Sequence, residues 1–179
     1  MPQAAAHILI PLILMSLFRD FYIKKYKKNF PLTYVLIAGI AGIIPDLDVA
    51  AFWILHFFGF TMEQVHRTFA HTIFVPLVFF AFFIILKNAN LSVLANHKLK
   101  LNLVFLMLAI GSFIHLVLDA TLAGSIIPLY PFSNLSIGIN LFGYLPEALM
   151  KIAAPSLDAG LLIIWLIYLK ATGKISDFI

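Results

Sequence analysis

Long apolar runs broken by short polar clusters set the pattern of this chain. Two runs of 18 residues, Phe69 to Leu86 and Leu101 to Leu118, contain no Lys, Arg, Asp or Glu. A helix needs about 20 such residues to cross a bilayer, so both runs are predicted to be transmembrane helices. Three other runs suit the same role: Ala4 to Ile23, which is interrupted near its end by Arg19 and Asp20, and the shorter runs Thr33 to Ile44 and Leu157 to Leu169. The pattern predicts an all-α membrane helix bundle of about five spans.

Three other features of the pattern concern shorter helices. Val49 to Phe60 is an apolar run of only 12 residues, which suits a re-entrant or interfacial helix better than a crossing. Thr33 to Ile44 is short enough to be a half-span instead of a full one. Pro146 to Ile152, in a loop rich in Pro, Gly, Asn and Ser, predicts a short interfacial helix. No soluble domain stands apart, so residues 1–179 are predicted to form a single integral membrane domain.

Composition supports the same class of protein. Hydrophobic residues make up 63% of the chain and charged residues 11%. In globular domains about half of the residues are hydrophobic and about a quarter are charged. The mean hydropathy of +1.03 shows that the apolar residues are spread along the whole length. There are no cysteines, so disulfides and thiolate metal sites are excluded and a metal would need His, Asp or Glu ligands.

The basic residues orient the predicted spans. Ten of the twelve fall in three clusters, at residues 19–28, 87–100 and 170–174, each beside an apolar run. The positive-inside rule places all three clusters in the cytoplasm, which gives an outside N-terminus and an inside C-terminus. The net charge of +4 therefore reflects membrane topology, and no nucleic-acid partner is expected. We expect a multi-pass protein of the inner or plasma membrane.

Seven ionisable residues share the opposite, extracytoplasmic end of the predicted spans. They are His7, Asp46, Asp48, His66, His71, His115 and Asp119. Such residues are costly at membrane depth, and they usually pair, line a cavity or bind an ion. His115 and Asp119 are four apart and so share a helix face. The set predicts a metal site facing the extracytoplasmic side.

The chemistry of the predicted ligands narrows the choice of metal. Imidazole and carboxylate together suit zinc, or iron or manganese in a two-metal arrangement, better than calcium or magnesium. Seven candidates exceed the four ligands of one tetrahedral ion, so one or two ions are predicted, most simply zinc. The site lies close to the headgroup level, which predicts contact with membrane lipids and a lipid-linked or membrane-proximal substrate.

Three residues are predicted to act in catalysis. Arg67 adjoins His66 and is a candidate for binding phosphate or stabilising developing negative charge. A metal-activated water would be the nucleophile, with Asp48 or His66 as its base. By contrast, His56 and His97 are predicted to have no metal role, and Asp158 is predicted to lie at the start of the last span.

Three classes of function fit these residues. The leading hypothesis is a membrane-bound metal-dependent hydrolase that cleaves a phosphoester. An ion or metal transporter is the second, because intramembrane His and Asp also mark ion pathways. The third is a structural or regulatory membrane protein with a stabilising metal, which a closed coordination shell would favour.

The motifs that contain these residues resemble a known family. GIIPDLD at Gly42 to Asp48, HRTFAHT at His66 to Thr72, and the stretch from Gly111 to Phe132 with its HLVLD core are similar to motifs of the YdjM family. Its members are inner-membrane-associated proteins predicted to be metal-dependent hydrolases, and Thr72 stands where the family usually has Ser. The resemblance implies a membrane-bound hydrolase. A weaker similarity of the HxxxD pair to zinc-dependent phospholipase C and P1 nuclease implies phosphoester chemistry.

Overall fold

The fold is a bundle of helices. The computed structural model describes residues 4–66, 68–89, 91, 94 and 98–175. The α-helices among them are α1 (Ala4–Tyr26), α2 (Leu32–Ala41), α3 (Asp48–Leu55), α4 (Met62–Val65), α5 (Phe74–Ile85), α6 (Leu101–Leu118) and α7 (Glu147–Ala171). Short 3-10 turns occupy Pro45–Leu47, His56–Phe58, Phe69–His71, Leu86–Asn88 and Leu141–Tyr144. A π-helical turn, Asp119–Ala123, continues α6. The described residues contain no strand, only an isolated antiparallel bridge between Ile126 and Ile137.

Three described helices are long and apolar enough to cross a membrane. These are α1, α7 and α6 together with its π turn as far as Leu122. A fourth candidate is α2 followed by Pro45–Phe58, a pair bent by 47° that forms either a broken span or a re-entrant loop. The second part of this pair covers most of the predicted interfacial helix, Val49 to Phe60. The all-α membrane fold is confirmed, whereas the described residues provide three to four candidate spans and do not confirm five.

The predicted span from Phe69 to Leu86 differs most from the structure. Helix α5 begins only at Phe74 and has 12 residues, about 18 Å, which is short of a hydrocarbon core of about 30 Å. The break lies at Thr72, whose extended backbone (φ −103°, ψ 156°) follows the 3-10 turn Phe69–His71. Pro76 then falls in the first turn of α5, where proline is tolerated.

At the other end of the chain, the predicted helices Pro146 to Ile152 and Leu157 to Leu169 are parts of one continuous helix. Glu147–Ala171 is continuous over 25 residues, so the prediction of a separate interfacial helix at Pro146 to Ile152 is wrong. Pro146 precedes the first turn as expected, and Pro155 lies inside the helix. A single proline removes one backbone hydrogen bond and can kink a helix without ending it.

Helix α6 is the centre of the bundle. It packs against α2 and α5, while α1 packs against α2 and α7. The α2 and α6 backbones come close at Gly111, where a Cβ atom would overlap the carbonyl oxygen of Ala38. This close packing, with Val35 and Ala38 fully buried beside Met107, fixes the position of the polar end of α6 relative to α2.

The basic ends of α1 and α7 are joined. The Lys174 ammonium and the Tyr168 hydroxyl both donate hydrogen bonds to the Asp20 carboxylate. Burial lowers the pKa of Lys174, but the hydrogen bonds with Asp20 and Tyr168 outweigh it and raise that pKa. Arg19 donates to the carbonyl oxygen of Phe30 at 2.9 Å. The first and third basic clusters of the sequence therefore lie at the same end of the bundle.

Candidate metal centre

The seven predicted ligands converge on one cluster. They come from α1 (His7), the 3-10 turn and first residue of α3 (Asp46, Asp48), the segment between α4 and α5 (His66, His71), and the end of α6 with its π turn (His115, Asp119). Asp46 and His66 are partly buried and the other five are buried. Three overlapping groups within this cluster could each hold a metal ion. Proximity was expected from the alignment of helix ends, whereas the ligand role of each residue stays a prediction.

Four of the seven side chains present ligand atoms at metal-like separations. The Nε2 atoms of His71 and His115 are 3.2 Å apart. Oδ1 of Asp46 lies 3.5 Å from Nε2 of His71 and 3.7 Å from Nε2 of His115. Oδ2 of Asp119 lies 3.5 Å and 3.8 Å from the same two atoms. Ligands about 2.0–2.2 Å from a tetrahedral zinc ion are separated by about 3.3–3.6 Å, so either carboxylate can share one ion with His71 and His115.

His115 is oriented for ligation by the end of α2. Its Nδ1–H donates a hydrogen bond of 2.7 Å to the carbonyl oxygen of Gly42, which leaves the Nε2 lone pair directed at the centre. Gly42 also permits the close approach of α1, because a Cβ atom there would overlap the carbonyl oxygen of His7. The sequence gives no signal for this role of Gly42, which depends on contacts between distant helices.

Asp48 faces two histidines. Its Oδ1 lies 3.0 Å from Nδ1 of His66, and its Oδ2 lies 3.0 Å from Nδ1 of His71. The second contact lacks hydrogen-bond alignment, so Nδ1 of His71 is a buried polar atom without a hydrogen bond. A second ion held by Asp48, His66 and His71 would satisfy this nitrogen. With one ion only, a small ring rotation would let His71 donate to Asp48, as ligating histidines commonly donate to a carboxylate.

His7 and α7 complete the cluster. Nε2 of His7 lies 3.1 Å from Oδ1 of Asp119, and the His7 and His115 ring centroids are 4.1 Å apart. The backbone N–H of Ala6 donates a hydrogen bond of 2.8 Å to Oδ1 of Asp158. The prediction that Asp158 lies at the start of the last span is wrong, because α7 begins 11 residues earlier, at Glu147. Asp158 instead satisfies a backbone donor in the first turn of α1, next to His7.

Other residues singled out in the sequence lie apart from the cluster or outside the described chain. His56 is exposed and packs against the ring of Phe52, and it belongs to none of the three groups of potential ligands. Arg67 and His97 lie outside the described residues. The π turn that begins at Asp119 was not predicted, although such turns often occur at functional sites.

The cluster has a buried side and an accessible side. The side chains of His71 and His115 are 0% exposed, whereas those of Asp46 and His66 are 13% and 19% exposed. A molecule from outside the bundle would therefore reach the centre past Asp46 and His66.

Comparison with known proteins gives one match. The model of a family described as YdjM inner membrane protein matches residues 1–174. No curated protein and no solved structure matches the chain at a significant level. The family match spans all seven residues of the cluster and nearly the whole length of the chain. The chain therefore belongs to the YdjM inner membrane protein family.

Proposed function

We propose that the protein is a membrane-bound metal-dependent hydrolase that cleaves a phosphoester in a lipid or another membrane-proximal substrate. The observation that carries this proposal is the pair of buried histidines, His71 and His115, with a carboxylate oxygen of Asp46 and one of Asp119 beside them. The Asp46 side of this group is partly exposed. Two imidazoles with two carboxylates suit zinc, and also manganese or iron. A bound ion would supply Lewis-acid activation of a water molecule and of a phosphoryl oxygen.

The chain's own residues would move the proton. Asp48 holds Nδ1 of His66 and favours the tautomer protonated there, so Nε2 is the basic nitrogen. His66 is also the more exposed of the two, with a 19% exposed side chain against 6% for Asp48. Of the two predicted bases, His66 is therefore the better candidate for accepting the proton of the attacking water, and Asp48 for orienting His66.

Arg67 is proposed to bind the phosphate, an assignment that rests on its position next to His66 in the sequence. Guanidinium has no lone pair for a metal and forms paired hydrogen bonds to phosphate. Arg67→Ala is expected to keep the metal and to lower turnover about 100-fold, roughly 3 kcal/mol of transition-state stabilisation. Arg67→Lys keeps the charge but loses the paired geometry, so it should not restore the rate.

The test combines these variants with a substrate panel. Purified wild type and both Arg67 variants are assayed on phospholipids and on soluble phosphoesters such as bis(p-nitrophenyl) phosphate, with and without EDTA. We expect turnover that EDTA removes and that added zinc or manganese restores. Equal turnover in the three proteins would exclude Arg67 from the reaction. A protein that binds metal but turns over no phosphoester would contradict the proposed chemistry.

A metal-stabilised scaffold is the competing function, and one observation favours it. Asp46, His71, His115 and Asp119 together could fill a tetrahedral zinc shell and leave no position for water. A purely structural ion would give a protein whose thermal stability falls on metal removal but which shows no metal-dependent turnover. The EDTA arm of the same experiment therefore distinguishes the two functions.

The orientation in the membrane is also a proposal, supported by the three basic clusters. We propose that the metal centre faces the extracytoplasmic side. The chain has no cysteine, so single substitutions give an unambiguous label. An impermeant maleimide added to intact cells should react with Asn134→Cys, in the loop after the π turn, and not with Lys100→Cys, which should react only after permeabilisation. The reverse pattern would place the centre in the cytoplasm.

A further inference from the structure

A groove runs beside the metal centre along α3. It has a volume of about 340 Å³ and opens to the outside of the bundle. Its walls come from three segments, the end of α2 through α3, the residues around α4, and the turn before α5. We call it the α3 groove and define it by Ile44, Leu47, Ala51, Leu55, Phe60 and Val65, together with Asp48.

The α3 groove is mostly apolar and meets the cluster at Asp48. Thr68 also lines it, and its hydroxyl donates a hydrogen bond of 2.6 Å to the carbonyl oxygen of Val65. The aliphatic and aromatic side chains of the groove cannot hydrogen-bond to a ligand, whereas Asp48 lies 3.0 Å from His66 and from His71. A single molecule could therefore place an apolar part in the groove and a polar part beside the candidate metal centre. The volume lies at the small end of the usual range for ligand pockets, about 300–1,000 Å³, which suits one flexible chain better than a bulky group.

The surroundings of the groove indicate the type of chain. Trp53, Phe57 and Phe58, on α3 and the turn that follows it, are largely exposed. In an inner membrane protein such a surface faces lipid, where hydrocarbon chains are the abundant apolar molecules.

We propose that the α3 groove binds one hydrocarbon chain of the substrate and so selects a lipid phosphoester whose headgroup lies at Asp48 and His66. The identity of the headgroup rests on the proposed function, whereas the binding of the chain does not. Each methylene buried in the groove should raise affinity about fourfold until the groove is full.

Helix α3 offers a matched pair of variants for the test. Ala51 lines the groove and Ala50 does not, and both are exposed residues of the same helix. Ala51→Phe should fill the groove, and Ala50→Phe adds the same ring elsewhere. Binding of ethyl phosphate and of octyl phosphate to the purified proteins is measured by calorimetry, with zinc and with EDTA. Zinc content serves as the check on folding.

In wild type and Ala50→Phe, octyl phosphate should bind at least 100-fold more tightly than ethyl phosphate, and Ala51→Phe should lose most of this gain. Equal affinity for the two phosphates in wild type would overturn the groove proposal while leaving a metal-dependent phosphate site intact. If Ala51→Phe keeps the gain in affinity of octyl over ethyl phosphate, the hydrocarbon chain binds elsewhere, and the groove proposal is also overturned. A third outcome is that Ala51→Phe removes the gain in affinity of octyl over ethyl phosphate, but binding is the same with zinc and with EDTA. This outcome would support the groove proposal and count against the metal-dependent phosphate site.

Discussion

His115→Ala and Asp119→Asn are each expected to lose stoichiometric metal. Their ligand atoms lie 3.8 Å from each other, and that of His71 lies 3.2 Å from His115 and 3.5 Å from Asp119, so each variant removes one ligand from this group. Asp119→Asn keeps the shape of the side chain, so loss of metal there reflects ligand chemistry and not packing. Elemental analysis of the purified proteins, with thermal unfolding as a check on folding, provides the measurement.

Two further variants distinguish metal ligands from residues that only orient a ligand or lie outside the cluster. Asp48→Asn should weaken binding about 10- to 100-fold if Asp48 only orients His66 and His71. If the wild type binds two ions and Asp48→Asn binds one, Asp48 is instead a ligand of a second ion. His56→Ala, an exposed histidine outside the cluster, should bind metal like the wild type. Full metal content in His115→Ala would show that the four-residue site is wrong.

His66→Ala is expected to lower kcat by about 10²- to 10⁴-fold, the usual contribution of a positioned acid or base. His66 combines partial exposure with an orienting carboxylate, Asp48, at 3.0 Å. Because Asp46, His71, His115 and Asp119 stay in place, at least one ion should still bind. The rate is measured on the best phosphoester of the panel at saturating zinc, with metal content determined on the same sample.

His56→Ala is the control for His66→Ala, since it removes an imidazole that lies outside the cluster. A fall in rate that matches a loss of metal would make His66 a ligand and not a base. An unchanged kcat with metal retained would remove His66 from the reaction.

The sequence predicts the bundle and its polar end because both follow from patterns along single helices. An uncharged run identifies α6 as a span, and a run interrupted only near its end by Arg19 and Asp20 identifies α1. The lysines at one end of the spans place the seven His and Asp residues at the other. The predicted boundaries of α5 and α7 were wrong because neither an extended residue within an apolar run nor a proline inside a helix can be recognised from hydrophobicity. Thr72 is extended before α5, whereas Pro155 is accommodated inside α7.

The finer arrangement of the site depends on contacts between helices that no spacing reveals. The tautomer of His115 is set by the carbonyl of Gly42, 73 residues away in the chain. The three overlapping groups of potential ligands likewise depend on side-chain directions. Sequence patterns therefore identified which residues gather, and the structure indicates which of them lie close enough to share an ion.

The hydrogen bond from Ala6 to Asp158 has a consequence for biosynthesis. Helix α1 is synthesised before α7, and residues 6 and 158 are separated by 152 positions. Until α7 has entered the membrane, the backbone amide beside His7 lacks its carboxylate partner, which is unfavourable in a lipid environment. The end of α1 that carries His7 therefore gains this hydrogen bond only after α7 has been synthesised, so assembly of the full cluster is coupled to insertion of α7.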